Sequence, residues 1–181
     1  MTHSRCVVGI DPSLTGFAMV ALYPDGVLVQ SEHTTKSTKT LSGRVERLGV
    51  LASAAENFVK EHLPSLCLIE GYAHAAKWKA AAIGELGGVV RTRIVGLADV
   101  TVEVPPTMLK KFATGKGNAG KLDVVQKVGK KFNVVFKTDN MADALGLAWL
   151  GGAVVGFCET TNAPQREIVK LVSKMREQET D

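Results

Sequence analysis

The sequence predicts a single α/β domain in which a mixed β-sheet is flanked by helices. Two observations lead there. The chain opens with three short apolar runs, and Pro-Asp-Gly, a turn signal, separates the second from the third. They read as an antiparallel meander. From residue 43 onward helical and strand-like segments alternate, the pattern of parallel strands joined by crossovers. A length of 181 residues fits one domain, large enough to bury roughly 70% of its unfolded surface.

Taken in order, Arg5 to Ile10 is β-branched and apolar, the makings of a buried strand. Phe17 to Leu22 and Val27 to Ser31 are the next two. Gly43 to Lys60 has helical period, with Val45, Leu48, Leu51, Ala52, Ala55, Phe58 and Val59 on one face. Leu66 to Ile69 is a short buried strand ending at Glu70. Trp78 to Ile94 reads as a helix rich in Ala and Gly, and Val100 to Val104 as a strand stopped by Pro105-Pro106. A short helix is expected from Pro106 to Phe112, then a glycine-rich basic loop over 114–121. A helix over Leu122 to Phe132 follows, then a short strand at Val134 to Phe136. Asp139 to Val155 is the next helix, with Met141, Ala144, Leu145, Ala148 and Trp149 at helical spacing. Arg166 to Glu179 is amphipathic, with Ile168, Leu171, Val172 and Met175 on one face. The boundaries this implies are 1–157 for the domain and 158–181 for a C-terminal amphipathic tail.

Composition is that of an ordinary globular chain, 45% hydrophobic and 22% charged, with a net charge of +4. The basic excess is local: from Lys110 to Lys137 eight lysines face one acid, Asp123. That favours a polyanionic partner. Cys6, Cys67 and Cys158 lie in apolar runs without CxxC spacing, so they read as core residues in a reducing compartment. No signal peptide or membrane span is expected.

The acids carry the chemistry. Asp11 ends the apolar strand VVGID, and Glu70 ends LCLIE. A charge inside a strand buried on both faces is costly, whereas at the strand end it reaches a cleft. Asp139 and Asp143 lie about 40° apart around their helix, and Asn140 about 60° from Asp143 on the other side. Carboxylates gathered at one point repel, and a divalent cation removes the conflict. Two such ions about 4 Å apart would activate a water and stabilise a leaving oxygen in phosphodiester hydrolysis. Each acid also has an ordinary reading. Asp11 suits a turn before Pro12, Glu70 a helix cap, and Asp139 an N-cap. No cap explains Asp143. The turn GIDPSLTG also resembles phosphate loops of actin-like kinases, but those need a second such loop and a longer chain.

These motifs resemble the RuvC family of Holliday junction resolvases, which have an RNase H-like fold. VVGIDPSLTGFAMV looks like the family's first strand and turn, and LCLIEGY like its second acidic strand. VPPTMLKKFATGKGNAGKLDVV is similar to its basic segment, and DNMADALGLA to its last catalytic helix. The resemblance implies Asp11, Glu70, Asp139 and Asp143 as catalytic and metal-binding residues, holding two Mg2+ ions that Mn2+ would replace. Family members place the two helix ligands three residues apart, which here falls on Asn140. Asp139 is preferred, with Asn140 as its rival.

The resemblance also implies a DNA surface of Tyr72, Lys110, Lys111, Lys116 and Lys121. Tyr72 would stack on a base, although the family spacing falls on Ala73. The lysines would meet phosphates, with glycines 115, 117 and 120 admitting the duplex. The expected activity is that of a homodimeric, structure-specific endonuclease. It would resolve four-way junctions in recombination and repair, in a cytoplasmic, nucleoid or host-cell setting, with an organelle left open and a branch-migration helicase as a partner. The helix carrying GELGG is the candidate dimer face. A nuclease for forks, flaps and three-way junctions and a non-catalytic binder of branched DNA are the alternatives.

Overall fold

The computed structural model describes residues 5–71 and 77–180, without the side chains of 77–80. Among these residues five strands form one sheet in the order β3-β2-β1-β4-β5. β1 (Val7–Asp11), β2 (Phe17–Leu22) and β3 (Leu28–His33) are the antiparallel meander. β4 (Leu66–Glu70) and β5 (Thr101–Val104) join in parallel on the other side of β1. The helices are α1 (Leu41–His62), α2 (Lys77–Ile94), α3 (Pro106–Thr114), α4 (Lys121–Phe132), α5 (Asp139–Val154) and α6 (Ala163–Gln178).

The period-two pattern of the strands builds two cores. Val8, Ile10, Met19, Ala21, Cys67 and Ile69 face one way, onto Leu51, Ala55 and Val59 of α1 and Leu86 and Val90 of α2. Val7, Ala18, Val20, Leu66 and Leu68 face the other way, onto α5. Behind α5 lies a further layer, with Leu109 and Phe112 of α3, Val128 of α4 and Ile168 and Val172 of α6. α5 is therefore buried on all sides, from Met141 to Ala153 except at Asp143. The five-residue stripe expected from periodicity understates it, because a helix sandwiched between a sheet and other helices needs apolar residues all round.

Gly9 sets how closely α5 lies on the sheet. A Cβ there would stand 2.1 Å from the Ala144 carbonyl oxygen and 2.5 Å from the Ala148 nitrogen. Only a residue without a side chain lets the α5 backbone rest directly on β1.

Three expectations are corrected. Val134 to Phe136 is not a strand: Asn133 ends α4 with a left-handed turn at φ 54, and Val134 N donates to Gly129 O. Val135 is 97% exposed while Phe136 packs against the core, and the segment joins α4 to α5 without pairing in the sheet. Val45 and Leu171 are exposed rather than core-facing. On α1 the buried stripe is Leu51, Ala52, Ala55, Phe58 and Val59, which the first turns overshoot. On α6 it is Gln165, Ile168 and Val172, and Leu171 sits to one side. Helix starts also move with their caps: Thr40 accepts from Gly43 N and Asn162 from Gln165 N, so α1 begins before its apolar period does. Among the described residues no helix is long and apolar enough to cross a membrane.

Candidate active site

β1 and β4 run parallel in register, with Ile10 opposite Ile69, so Asp11 and Glu70 come next to each other at the strand ends. Alternation turns both toward α5, on the face of Val7 and Leu68. Asp143, on the first turns of α5, meets them. The three line one cleft of about 540 Å3, together with Asn140, Lys110 and Lys121.

The electrostatics of this cluster are those of crowded, desolvated carboxylates. Asp11 is only 6% exposed. Burial, then the charges of Glu70 and Asp143, push its pKa well above the usual range, and the Asp11 and Glu70 carboxyls are close enough to share a proton. Glu70 is raised chiefly by burial, against the pull of Lys121 and Lys110. Burial first and Glu70 second lift Asp143 to about 7. Asp139 moves the opposite way: the Lys121 ammonium donates to its Oδ2 at 2.5 Å and lowers its pKa. Of the two candidates for the place beside Asp143, Asn140 lines the cleft, while the Asp139 carboxylate is engaged with Lys121.

The lysines divide in the same way. Lys110 and Lys121 reach the cleft. Lys111 Nζ is paired with Glu167 of α6 at 2.7 Å, and Lys116 lies exposed on the loop between α3 and α4. Tyr72 lies outside the described residues.

Two arginines that the sequence offered no signal for hold the walls. Arg47 of α1 donates to Thr35 Oγ1 at 2.6 Å and to the Leu14 carbonyl, fixing the turn that follows Asp11. Arg91 of α2 donates to the Glu70 carbonyl at 3.2 Å and pairs with Glu103 of β5 at 2.7 Å, fixing the end of β4. Each sits on a helix surface where an arginine looks ordinary, and only the tertiary partner shows its use.

Asp11, Glu70 and Asp143 line this one cleft, although among the described residues no group of three His, Cys, Asp or Glu side chains stands at metal-holding geometry. The donor chemistry nevertheless suits a hard divalent cation. The candidate ligands are oxygens only, and burial of Asp11, Glu70 and Asp143, joined at Asp11 and Asp143 by neighbouring carboxylate charge, disfavours their ionised forms, a cost that a bound cation would relieve.

The model of crossover junction endodeoxyribonuclease RuvC matches residues 7–151. The chain belongs to the RuvC family. It is thereby an endodeoxyribonuclease of a metal-dependent class. The RuvC of Prochlorococcus marinus is 26% identical over 149 residues, covering 80% of this chain and 96% of the relative. That of Polaromonas sp. is 30% identical over 148 residues, covering 78% and 81%. Among solved structures, Thermus thermophilus RuvC superposes with a TM-score of 0.68 at 19% identity, covering 86% of this chain and 99% of that one. The same enzyme in complex with Holliday junction substrate gives 0.67 at 20% identity, covering 80% and 90%. The yeast mitochondrial resolvase Ydc2 gives 0.53 at 13% identity, covering 97% and 86%. These structural likenesses show the RNase H-like resolvase fold of this RuvC family member. They leave its residue roles to its own geometry.

Proposed function

We propose that this RuvC family member resolves four-way DNA junctions by hydrolysing one phosphodiester in each of two opposed strands. The observation that supports it best is the convergence of Asp11, Glu70 and Asp143, from three separate elements, in a cleft that also holds Lys110 and Lys121. The three carboxylates would hold two divalent ions, Mg2+ with Mn2+ as a substitute, and a fourth oxygen would come from Asp139 or Asn140. Bound there, the ions lower the pKa of water and neutralise charge at the phosphate. Lys110 and Lys121 draw the DNA backbone to the cleft, and Lys116 extends that surface along the loop. Lys111 contributes once released from Glu167, and Tyr72 stacks on a base at the junction centre.

A four-way junction has approximate two-fold symmetry, so the working form is a C2 homodimer with one cleft per cut strand. The outer side of the α2 segment GELGG, at Gly84 and Gly88, is its dimer face, while Gly87 turns inward to line the cleft. The setting is cytoplasmic, and a branch-migration helicase is the fitting partner.

The test is cleavage of a mobile four-way junction beside matched three-way and linear DNA, in Mg2+ or Mn2+. The wild type should cut the four-way junction in preference. Asp11→Asn should lose activity by more than about 100-fold, the upper end for a residue that merely supports a ligand. Equal rates on linear DNA would sink the junction reading, and full activity in Asp11→Asn would sink the carboxylate site.

A further inference from the structure

α6 lies wholly beyond the matched family segment, which ends at residue 151. Its Ile168 and Val172 turn into the core. On the opposite side, about 180° around the axis, stand Arg166, Lys170 and Lys174. All three are exposed, and among the described residues none has an ion-pair partner. A step of four residues moves each about 6 Å along the helix and only about 40° around it. They form a cationic stripe about 12 Å long on a rigid rod. Glu177, in the next turn, closes it.

Packing sets this stripe beside the basic surface of α3 and the loop after it. Pro164, at the start of α6, lies against Gly115, the cap of α3. A Cβ added at Gly115 would stand 4.0 Å from Pro164 Cγ, and Lys116 is the next residue of that loop. One turn into α6, Glu167 Oε1 accepts from Lys111 Nζ at 2.7 Å. Glu167 stands about 20° from Lys174 around the axis, on the border of the stripe. Lys111 neutralises it there. Lys110, the neighbour of Lys111, lines the cleft. From the cleft outward the order is therefore Lys110, the Lys111–Glu167 pair, then the α6 stripe. At the end of the sheet away from Asp11, exposed bases are matched instead: Arg5 pairs with Asp99 and Lys60 with Glu56.

An evenly spaced line of fixed positive charge fits a partner with an evenly spaced line of negative charge, which a DNA backbone supplies. α6 has no aromatic residue, so nothing on it would stack on an unpaired base. Its chemistry suits a closed duplex gripped by its phosphates, without regard to sequence. We propose that α6 is a second DNA contact, at which Arg166, Lys170 and Lys174 hold the phosphates of the junction arm that leaves the cleft past α3. This rests on the reading of the cleft as a junction-cutting site and extends it. The cleft takes the strand to be cut, and α6 sets the direction of one arm.

The test is binding of the full chain to a four-way junction with arms of about 15 base pairs, about 50 Å each. It is read by fluorescence anisotropy between about 50 and 200 mM KCl, without divalent ions so that nothing is cut. Arg166→Gln/Lys170→Gln/Lys174→Gln should flatten the dependence of log K on log salt by about 2.7, at about 0.9 for each lost phosphate contact. Over that range the wild-type affinity then falls about 40-fold further than the variant's. Lys170→Gln alone should give about 0.9. Arg166→Lys/Lys170→Arg/Lys174→Arg, which keeps the charges, should keep the wild-type slope. Arg5→Gln/Lys60→Gln removes two charges far from the cleft and should leave the slope within about 0.5 of wild type. A wild-type slope in the neutralised α6 variants, or the same change per charge in the Arg5 and Lys60 control, overturns the proposal. If the wild type binds linear duplex as tightly as the junction, the junction reading itself has failed and this proposal falls with it.

Discussion

Asp143 is a carboxylate whose neighbours oppose its charge. Burial, and then Glu70, lift its pKa from 3.8 to about 7, and Asp11 and Glu70 are shifted in the same direction. The sign of the pH effect follows. The folded chain holds protons that the unfolded chain has released, so stability present below pH about 4 is lost as pH rises through about 7. Divalent ions bind the ionised carboxylates, so their stabilisation grows over the same range. Without divalent ions the melting temperature should fall between pH about 5 and about 8, and more in the wild type than in Asp143→Asn. Added Mg2+ should raise it more at pH about 8 than at about 5.5. A thermal shift of equal size at both pH values would separate the acids from the ion site. Asp11, Glu70 and Asp143 were legible in the sequence because an acid closing an apolar strand, or lying within an apolar helix, is anomalous by itself. The tie between Thr138, the cap of α5, and Glu32 of β3 was not, because the two partners lie 106 residues apart in the chain.

At the level of elements, the site is a matter of how β1 and α5 touch. Gly9 lies two residues before Asp11 on the same face, and its missing side chain lets Ala144 and Ala148 rest on the strand. Gly9→Ala should therefore push α5 outward, costing about 1–3 kcal/mol as overpacking does. A displacement of about 1 Å at the carboxylates is enough for a loss of about 100-fold in cleavage. Gly49→Ala on α1 is the control: no atom lies within 4 Å of the added Cβ, and it should stabilise by about 0.5–1 kcal/mol as a better helix former. Urea unfolding of both variants, with junction cleavage, checks the pair, and a harmless Gly9→Ala would contradict the close packing. Strand and helix order was readable because each element has a strong period. The failed strand at Val134 to Phe136 shows the limit. Three apolar residues suit a strand, but with both sheet edges placed elsewhere, they serve as a link between α4 and α5.

At the level of the whole molecule, the described residues of one chain bring Asp11, Glu70 and Asp143 to a single cleft, whereas resolution needs two cuts. Sequence pattern predicted the mixed sheet, the resemblance of its motifs implied the RNase H-like fold and the basic DNA segment, and the family match over residues 7–151 agrees with that resemblance. α6 lies beyond that match. There Ile168 and Val172 join the core behind α5, and Glu167 takes up Lys111. Periodicity showed that this segment was amphipathic, yet could not name the surface it covers, since α3 supplies it only after folding. The two-fold proposal has a direct consequence. A purified mixed dimer, one chain wild type and the other Asp11→Asn, has one working cleft. On a supercoiled plasmid with an extruded cruciform, paired cuts linearise the circle and a single cut only nicks it. The wild type should give linear product, and the mixed dimer should accumulate nicked circles, because each cleft serves the strand on its own side of the two-fold axis. Were the mixed dimer to linearise the plasmid as fast as the wild type, one cleft would be reaching both strands, and the symmetric arrangement would have to be abandoned.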